Sequence, residues 1–167
     1  MNPRLYLGFK LLHVVSVIFF LGNIVTGLFW KAHADRSRDP KIIDSAIDGI
    51  IRSDRLFTVP AIHLIVIGGF GAAITGRHPI LGTGWIFWSI VLFSVSGVAF
   101  ASRVAPLQRK LRAVTRAGAE AGRLDWTAYA ALSRRWELWG IVALATPAVA
   151  TALMILKPLL PNLRDLF

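Results

Sequence analysis

Four apolar stretches, each close to the length that crosses a bilayer, restrict this chain more than any other feature: Leu5–Trp30, Leu56–Thr75, Gly84–Ser102 and Glu137–Leu156. A hydrocarbon core of about 30 Å takes roughly 20 helical residues at about 1.5 Å each. Backbone amides in hydrocarbon must be satisfied within their own segment. Each stretch is therefore a helix, even where a run such as Ile62–Ile67 would favour a strand in water. The expected fold is all-α, a four-transmembrane-helix bundle forming one domain. With 55% hydrophobic residues in a chain of 167, there is too little volume to hide the apolar surface in a water-soluble core.

The charges lie between the spans. Lys31 to Arg55 holds Lys31, Arg36, Arg38, Lys41, Arg52 and Arg55, and Arg103 to Arg135 holds Arg103, Arg109, Lys110, Arg112, Arg116, Arg123, Arg134 and Arg135. The connection Gly76–Thr83 carries only Arg77, and the ends carry Arg4, Lys157 and Arg164. By the positive-inside rule the two basic loops are cytoplasmic and both termini lie outside, as in a multi-pass protein of a bacterial inner membrane. The net charge of +10 is then explained by topology and anionic lipid, and no nucleic-acid partner is expected. Leu5–Trp30 is too long for a signal-peptide core and has no suitably placed small-residue cleavage site, so it is expected to remain as a span. Trp30, Trp85, Trp88, Trp136 and Trp139 fall near span ends, where an amphipathic ring is stable at headgroup level.

The basic loops carry helical signals of their own. After Pro40, Ile42, Ile43, Ala46, Ile47, Ile50 and Ile51 recur at helical spacing with Asp44, Asp48 and Arg52 offset, the pattern of an interfacial amphipathic helix. The third span continues as Leu107–Ala117, breaks at Gly118–Gly122 and restarts after Asp125 as an N-cap, giving a cytosolic helical hairpin that leads into the fourth span.

Ionisable groups inside a bilayer cost several kcal/mol unless paired or functional, which singles out Lys10, His13 and His63. Lys10 and His13 share one face of the first helix. His63 precedes Gly68, Gly69, Gly71 and Gly76, where another backbone or a flat ligand can approach. Neutral imidazole is an axial ligand for haem iron and a nearby cation pairs with a propionate. These three residues therefore suit a b-type haem site, with His13 and His63 as metal ligands and Lys10 beside a propionate. The alternative is structural: each histidine donates to a neighbouring carbonyl, and Lys10 snorkels to the headgroups. His33 and His78 are expected to be solvated loop residues. Asp54 is expected to pair with a basic group, and Pro60 and Pro147 to bend their helices.

The chain has no cysteine, which excludes disulfides, thiolate metal sites and cysteine nucleophiles. With Met1 and Met154 its only methionines, soft ligands for Cu(I) are scarce. Catalytic triads, phosphate loops and zinc spacings are absent, so no hydrolase or kinase reading stands.

Several motifs taken together resemble an uncharacterised bacterial family of predicted integral membrane proteins, domain of unknown function 2269, over nearly the whole length. They are Lys10-x-x-His13 followed by the Gly22 region, Asp54-Arg55-Leu56-Phe57-Thr58-Val59-Pro60, Arg135-Trp136 with Gly140, and Met154-Ile155-Leu156-Lys157-Pro158. The Lys-x-x-His opening is also similar to that of HemJ-type protoporphyrinogen oxidases and CopD-type membrane proteins. That similarity implies a haem ligand at His13 and a catalytic or propionate-pairing role for Lys10. Where HemJ-type chains carry Trp-x-x-Gly, this one has Phe19-Phe20-Leu21-Gly22. Two functions follow as expectations: a haem-dependent membrane oxidoreductase serving electron transfer or tetrapyrrole oxidation with an electron-transfer partner, or a non-enzymatic transport subunit or assembly partner. The glycine faces of the second and third spans would allow a homodimer.

Overall fold

The structure, a computed structural model, describes residues 2–166. Six α-helices run in the order α1 (Pro3–Ser37), α2 (Pro40–Ser53), α3 (Val59–Thr75), α4 (Gly84–Ala99), α5 (Ala105–Ala121) and α6 (Trp126–Leu156), and the described residues contain no strand. Two single π-turns, Asp54–Thr58 and Phe100–Val104, fuse α2 to α3 and α4 to α5 without a break. The protein therefore has four long helices, of 35, 36, 38 and 31 residues, each apolar enough to cross a membrane. All four outreach a bilayer core of about 30 Å.

Local chemistry sets the helix ends. Asn2 caps α1 through its side-chain oxygen, which accepts from the amides of Arg4 at 3.1 Å and Leu5 at 3.4 Å, with Pro3 in the first turn. Asp39 caps α2 in the same way, accepting from Lys41 N at 2.8 Å just ahead of Pro40. Asp125 caps α6 through Ala128 N at 3.0 Å, as its position after the glycine break predicts. Gly122, at φ 67°, supplies the left-handed turn that ends α5.

Each π-turn stands just ahead of a proline, Pro60 or Pro106. Proline lacks the amide that would bond four residues back, and its ring crowds that carbonyl. A widened turn, closed by Val59 N–H to Asp54 O in one case and Ala105 N–H to Phe100 O in the other, lets the helix continue past it. Pro147 is handled differently. The carbonyl it leaves free, that of Ala143, accepts from Ser96 Oγ of α4 at 2.6 Å, so a neighbouring helix supplies the missing donor.

The long helices associate in pairs. α1 lies antiparallel along α3, α4 lies antiparallel along α6, and α2 packs on α5 while α6 meets α1 at the basic end of the molecule. The largest core sits at that end and includes Ile43, Ile47, Leu111, Tyr129 and Trp136. A smaller one, about Phe20, Ala61 and Ile65 with Phe93 against it, lies within the spans. Only 11% to 28% of each span is buried inside the protein. Large apolar side chains such as Leu11, Ile18, Phe29, Val98 and Ile155 point outward. An outer surface of that kind is matched to lipid as solvent.

One expectation changes here. The amphipathic helix α2 continues through the π-turn into α3, and its isoleucine face closes onto α5 and α1, with Ile43 fully covered. The Leu111 face of α5 takes the place of lipid headgroups as its partner.

Candidate functional site

His13 lies in the α1/α3 seam. Buried Ala61, Ile65 and Gly68 recur at helical spacing along α3 and turn that face to α1. His13 Nδ1 lies 2.8 Å from the Ile65 carbonyl oxygen and donates to it in the Nδ1–H tautomer. The imidazole rests against Gly69, where a Cβ would stand 3.0 Å from Nδ1, and the His13 backbone rests against Gly68, where a Cβ would stand 2.7 Å from the amide nitrogen. The glycines thus admit α1 itself. Gly71 receives the Phe9 ring and Gly76 the Tyr6 ring. These four positions are filled from within the chain, which leaves α3 no glycine face for a second copy; Gly97 of α4 stays open.

His63 lies off that seam. Its ring is exposed on the outward side of α3, and its Nδ1 is 2.8 Å from the Val59 carbonyl one turn back in the same helix. His13 and His63 thus meet different carbonyls, one across the α1/α3 seam and the other within α3. Lys10 is exposed one turn before His13, with its ammonium 5.9 Å from the Tyr6 ring centroid. Among the described residues no group of three or more histidine, aspartate or glutamate side chains stands close enough to share a metal ion.

Two buried polar centres occupy the basic end instead. In the first, the Lys31 side chain is 3% exposed and Nζ donates to Asp35 Oδ2 at 2.7 Å, Glu137 Oε1 at 2.8 Å and Ser133 Oγ at 2.6 Å. The ammonium also faces the rings of Tyr129 and Trp136, and the Tyr129 hydroxyl donates to the other oxygen of Asp35. Lys31 is thus the cation that joins α1 to α6, not the loop residue its position after Trp30 suggests. In the second centre, Asp54 opens the first π-turn. Its Oδ1 accepts from Thr58 Oγ1 at 2.8 Å and Asn23 Nδ2 at 3.3 Å, and its Oδ2 accepts from Gln108 Nε2 at 2.7 Å. Asn23 Nδ2 also reaches Thr58 Oγ1 at 2.9 Å. The expected basic partner is absent among the described residues: neutral donors from α1, α3's own lead-in turn and α5 hold this carboxylate.

The same end sorts its charges by sign. Every carboxylate from Asp35 to Glu137 is engaged: Asp39 and Asp125 as caps, Asp44 by Thr115 Oγ1, Asp48 by Arg52 and Arg112, Glu120 by Arg116, and the rest as above. Arg36, Arg38, Lys41, Arg55, Arg103, Arg109, Lys110, Arg123, Arg134 and Arg135 are exposed and have no carboxylate partner among the described residues. The acids of this end are tied up in caps, hydrogen bonds and ion pairs, while most of its cations, buried Lys31 apart, lie free on its outside.

No curated protein and no solved structure matches the chain. A family model described as "Predicted integral membrane protein (DUF2269)" matches residues 7–158, nearly the whole span from α1 to the end of α6. The chain belongs to that family of predicted integral membrane proteins.

Proposed function

We propose that the protein is a non-enzymatic membrane component, a transport subunit or assembly partner, in which the histidines are structural. One observation carries this reading: His13 Nδ1 meets the Ile65 carbonyl across the α1/α3 seam, with the ring laid on Gly69. In hydrocarbon a bond of this kind ties two helices together, and measured values average about 0.6 kcal/mol. His63 bonds within its own helix. The working surface is then the basic end, where two buried polar centres fix four helices and leave the cations outside. The excess of unpaired cations there supports a cytoplasmic basic end in a bacterial inner membrane, with both termini outside. Because the chain lacks cysteine, single reporters at Arg4→Cys and Arg123→Cys test the orientation directly. Labelling of Arg123→Cys by a membrane-impermeant maleimide in intact cells would reverse it.

A second reading, b-type haem held by His13 with Lys10 beside a propionate, is compatible with the same hydrogen bond. A histidine anchored through Nδ1 keeps Nε2 as its ligand atom, as metal-bound histidines do. Lys10 is exposed and has no carboxylate partner among the described residues. Haem would supply one-electron chemistry; His63, on the outward side of α3, would need a separate ligand role. An absorption spectrum, oxidised and dithionite-reduced, of protein purified in mild detergent from haem-replete cells separates the readings. The structural reading expects no Soret band and a His13→Ala protein that is colourless and less stable. A Soret band lost in His13→Ala overturns it.

A further inference from the structure

Between the last turns of α1 and the length of α2 lies a groove of about 580 Å³, open along one side. Gly27, Trp30 and His33 line it from α1, and Lys41, Ser45 and Gly49 from α2. It exists because α2 presents small residues there: a Cβ built on Gly49 meets nothing within 4 Å. From His33 to Asn23, its other end, the groove follows ten residues of α1, about 15 Å at the helical rise.

The groove changes character along that length. Lys41 and His33 sit at the end farther from the spans, and no aspartate or glutamate lines any part of it. Lys41 is the charged side chain that lines it and has no carboxylate partner among the described residues; Asp39 is taken up by the amides that open α2, Asp44 by Thr115 of α5, and Asp35 and Asp48 by ion pairs, so the mouth keeps a cation free to pair. Farther along, Gly27, Ala46 and Ile50 make an apolar wall, closed at the end nearer the spans by Asn23, Thr26 and Ser53. Exposed Trp30 stands at the lip, at the level where a tryptophan marks the headgroup boundary. A cationic mouth, an apolar wall and an open side together describe a seat for a charged amphiphile that enters laterally from the leaflet.

We propose that this groove binds one acidic phospholipid, its headgroup phosphate at Lys41 and His33 and an acyl chain along Gly27 and Ile50. Charge complementarity selects this occupant. A second copy of the chain would bring its own unpaired cations against Lys41, and a small soluble anion would leave the apolar wall uncovered.

The test is native mass spectrometry of the full-length protein in mild detergent, titrated separately with phosphatidylglycerol and phosphatidylcholine. The wild type is compared with Gly49→Leu, Lys41→Gln and Lys110→Gln. The first phosphatidylglycerol should bind more tightly than the first phosphatidylcholine. Gly49→Leu fills the groove and should remove that tight site, and Lys41→Gln should cut the preference about fivefold, the effect of one basic residue at an anionic surface. Lys110→Gln, on the exposed face of α5, should leave it unchanged. Equal binding by all four proteins would overturn the proposal and place the lipid on the general basic surface. Gly49→Leu converting a dimer to a monomer with lipid binding intact would also overturn it, by putting a second copy in the groove. Lys41 is exposed, so Lys41→Gln decides the matter even where Gly49→Leu fails to fold.

Discussion

Gly68→Ala tests the α1/α3 seam at its tightest point. The added Cβ would stand 2.7 Å from the His13 amide nitrogen, 2.9 Å from its Cα and 3.0 Å from its Cβ. Ordinary carbon contact lies at about 3.5 Å or more, so the helices must part by about 0.8 Å. Two of the three obstructing atoms are backbone, and no side-chain rotation relieves them. The same displacement would stretch the 2.8 Å contact from His13 to the Ile65 carbonyl to the edge of hydrogen-bonding range or past it. Overpacking of this kind costs about 1–3 kcal/mol, and the interhelical bond adds about 0.6 kcal/mol. The expected loss is about 2–3 kcal/mol, read by equilibrium unfolding in mixed micelles. Gly22→Ala is the control, since its Cβ meets nothing within 4 Å and alanine is the better helix former. Equal stability of Gly68→Ala and Gly22→Ala would refute close packing at this seam, and with it the structural account of His13.

Lys31→Met removes a buried cation and leaves Asp35 and Glu137 facing each other. Loss of one partner from a buried ion pair costs about 3–5 kcal/mol. Water reaches these carboxylates, 30% and 46% exposed, so about 2–3 kcal/mol is expected in the same unfolding assay. Adding Asp35→Asn and Glu137→Gln should restore most of it, and no recovery in the triple variant would count against an ionic origin. Ser96→Ala strips the donor from the Ala143 carbonyl and should cost about 1 kcal/mol. In a Pro147→Ala background, where the residue 147 amide can return to that carbonyl, the cost should shrink toward zero, and an unchanged cost would show that Ser96 acts otherwise. Asp54→Asn should cost under about 1 kcal/mol, because Gln108 can turn its amide and offer oxygen, whereas Asp54→Leu strands the Thr58 and Gln108 donors, with Asn23 keeping Thr58 Oγ1, for about 2–3 kcal/mol. Equal losses from the two substitutions would refute that hydrogen-bond assignment.

Apolar run length alone made the four crossings legible, because only a helix satisfies a backbone in lipid and only about 20 residues reach across. The hairpin was legible too, from Gly122 and the Asp125 cap, although α5 runs on through Gly118 to Ala121 where the sequence suggests a break. The partner of α2 was not. An isoleucine stripe at helical spacing reads the same whether lipid or Leu111 covers it, since periodicity gives the direction of burial and not what does the burying. Lys31 reads as the start of a loop because the apolar run ends at Trp30. A signal was nonetheless present: Tyr129, Ser133 and Glu137 recur every four residues, a polar stripe on α6 matching Lys31 and Asp35 at the same spacing on α1. That each histidine meets a carbonyl is one of the two readings the sequence leaves open, but which carbonyl it meets is not legible, because such an acceptor is a property of every residue and leaves no mark.

The two polar centres also explain why the molecule is fastened at one end. In lipid, apolar helix faces gain little by leaving the hydrocarbon for each other, so packing, close approach and hydrogen bonds must hold them. Inside the spans the α1/α3 pair has its glycine seam and the α4/α6 pair has Ser89 and Ser96 on facing carbonyls. Between the pairs there is a small cluster about Phe20 and Phe93, rings 5.9 Å apart. At the basic end water makes burial of Ile43, Leu111 and Trp136 favourable again, and Lys31 and Asp54 add ties between helices of different pairs. A seam substitution therefore loosens one pair from within, and a basic-end substitution loosens one pair from the other. Gly68→Ala and Lys31→Met share no partner, so their costs should add to within about 0.5 kcal/mol. A larger deviation in the double variant would mean that the seam and the basic end respond to a common motion, and that the two pairs are not independent units.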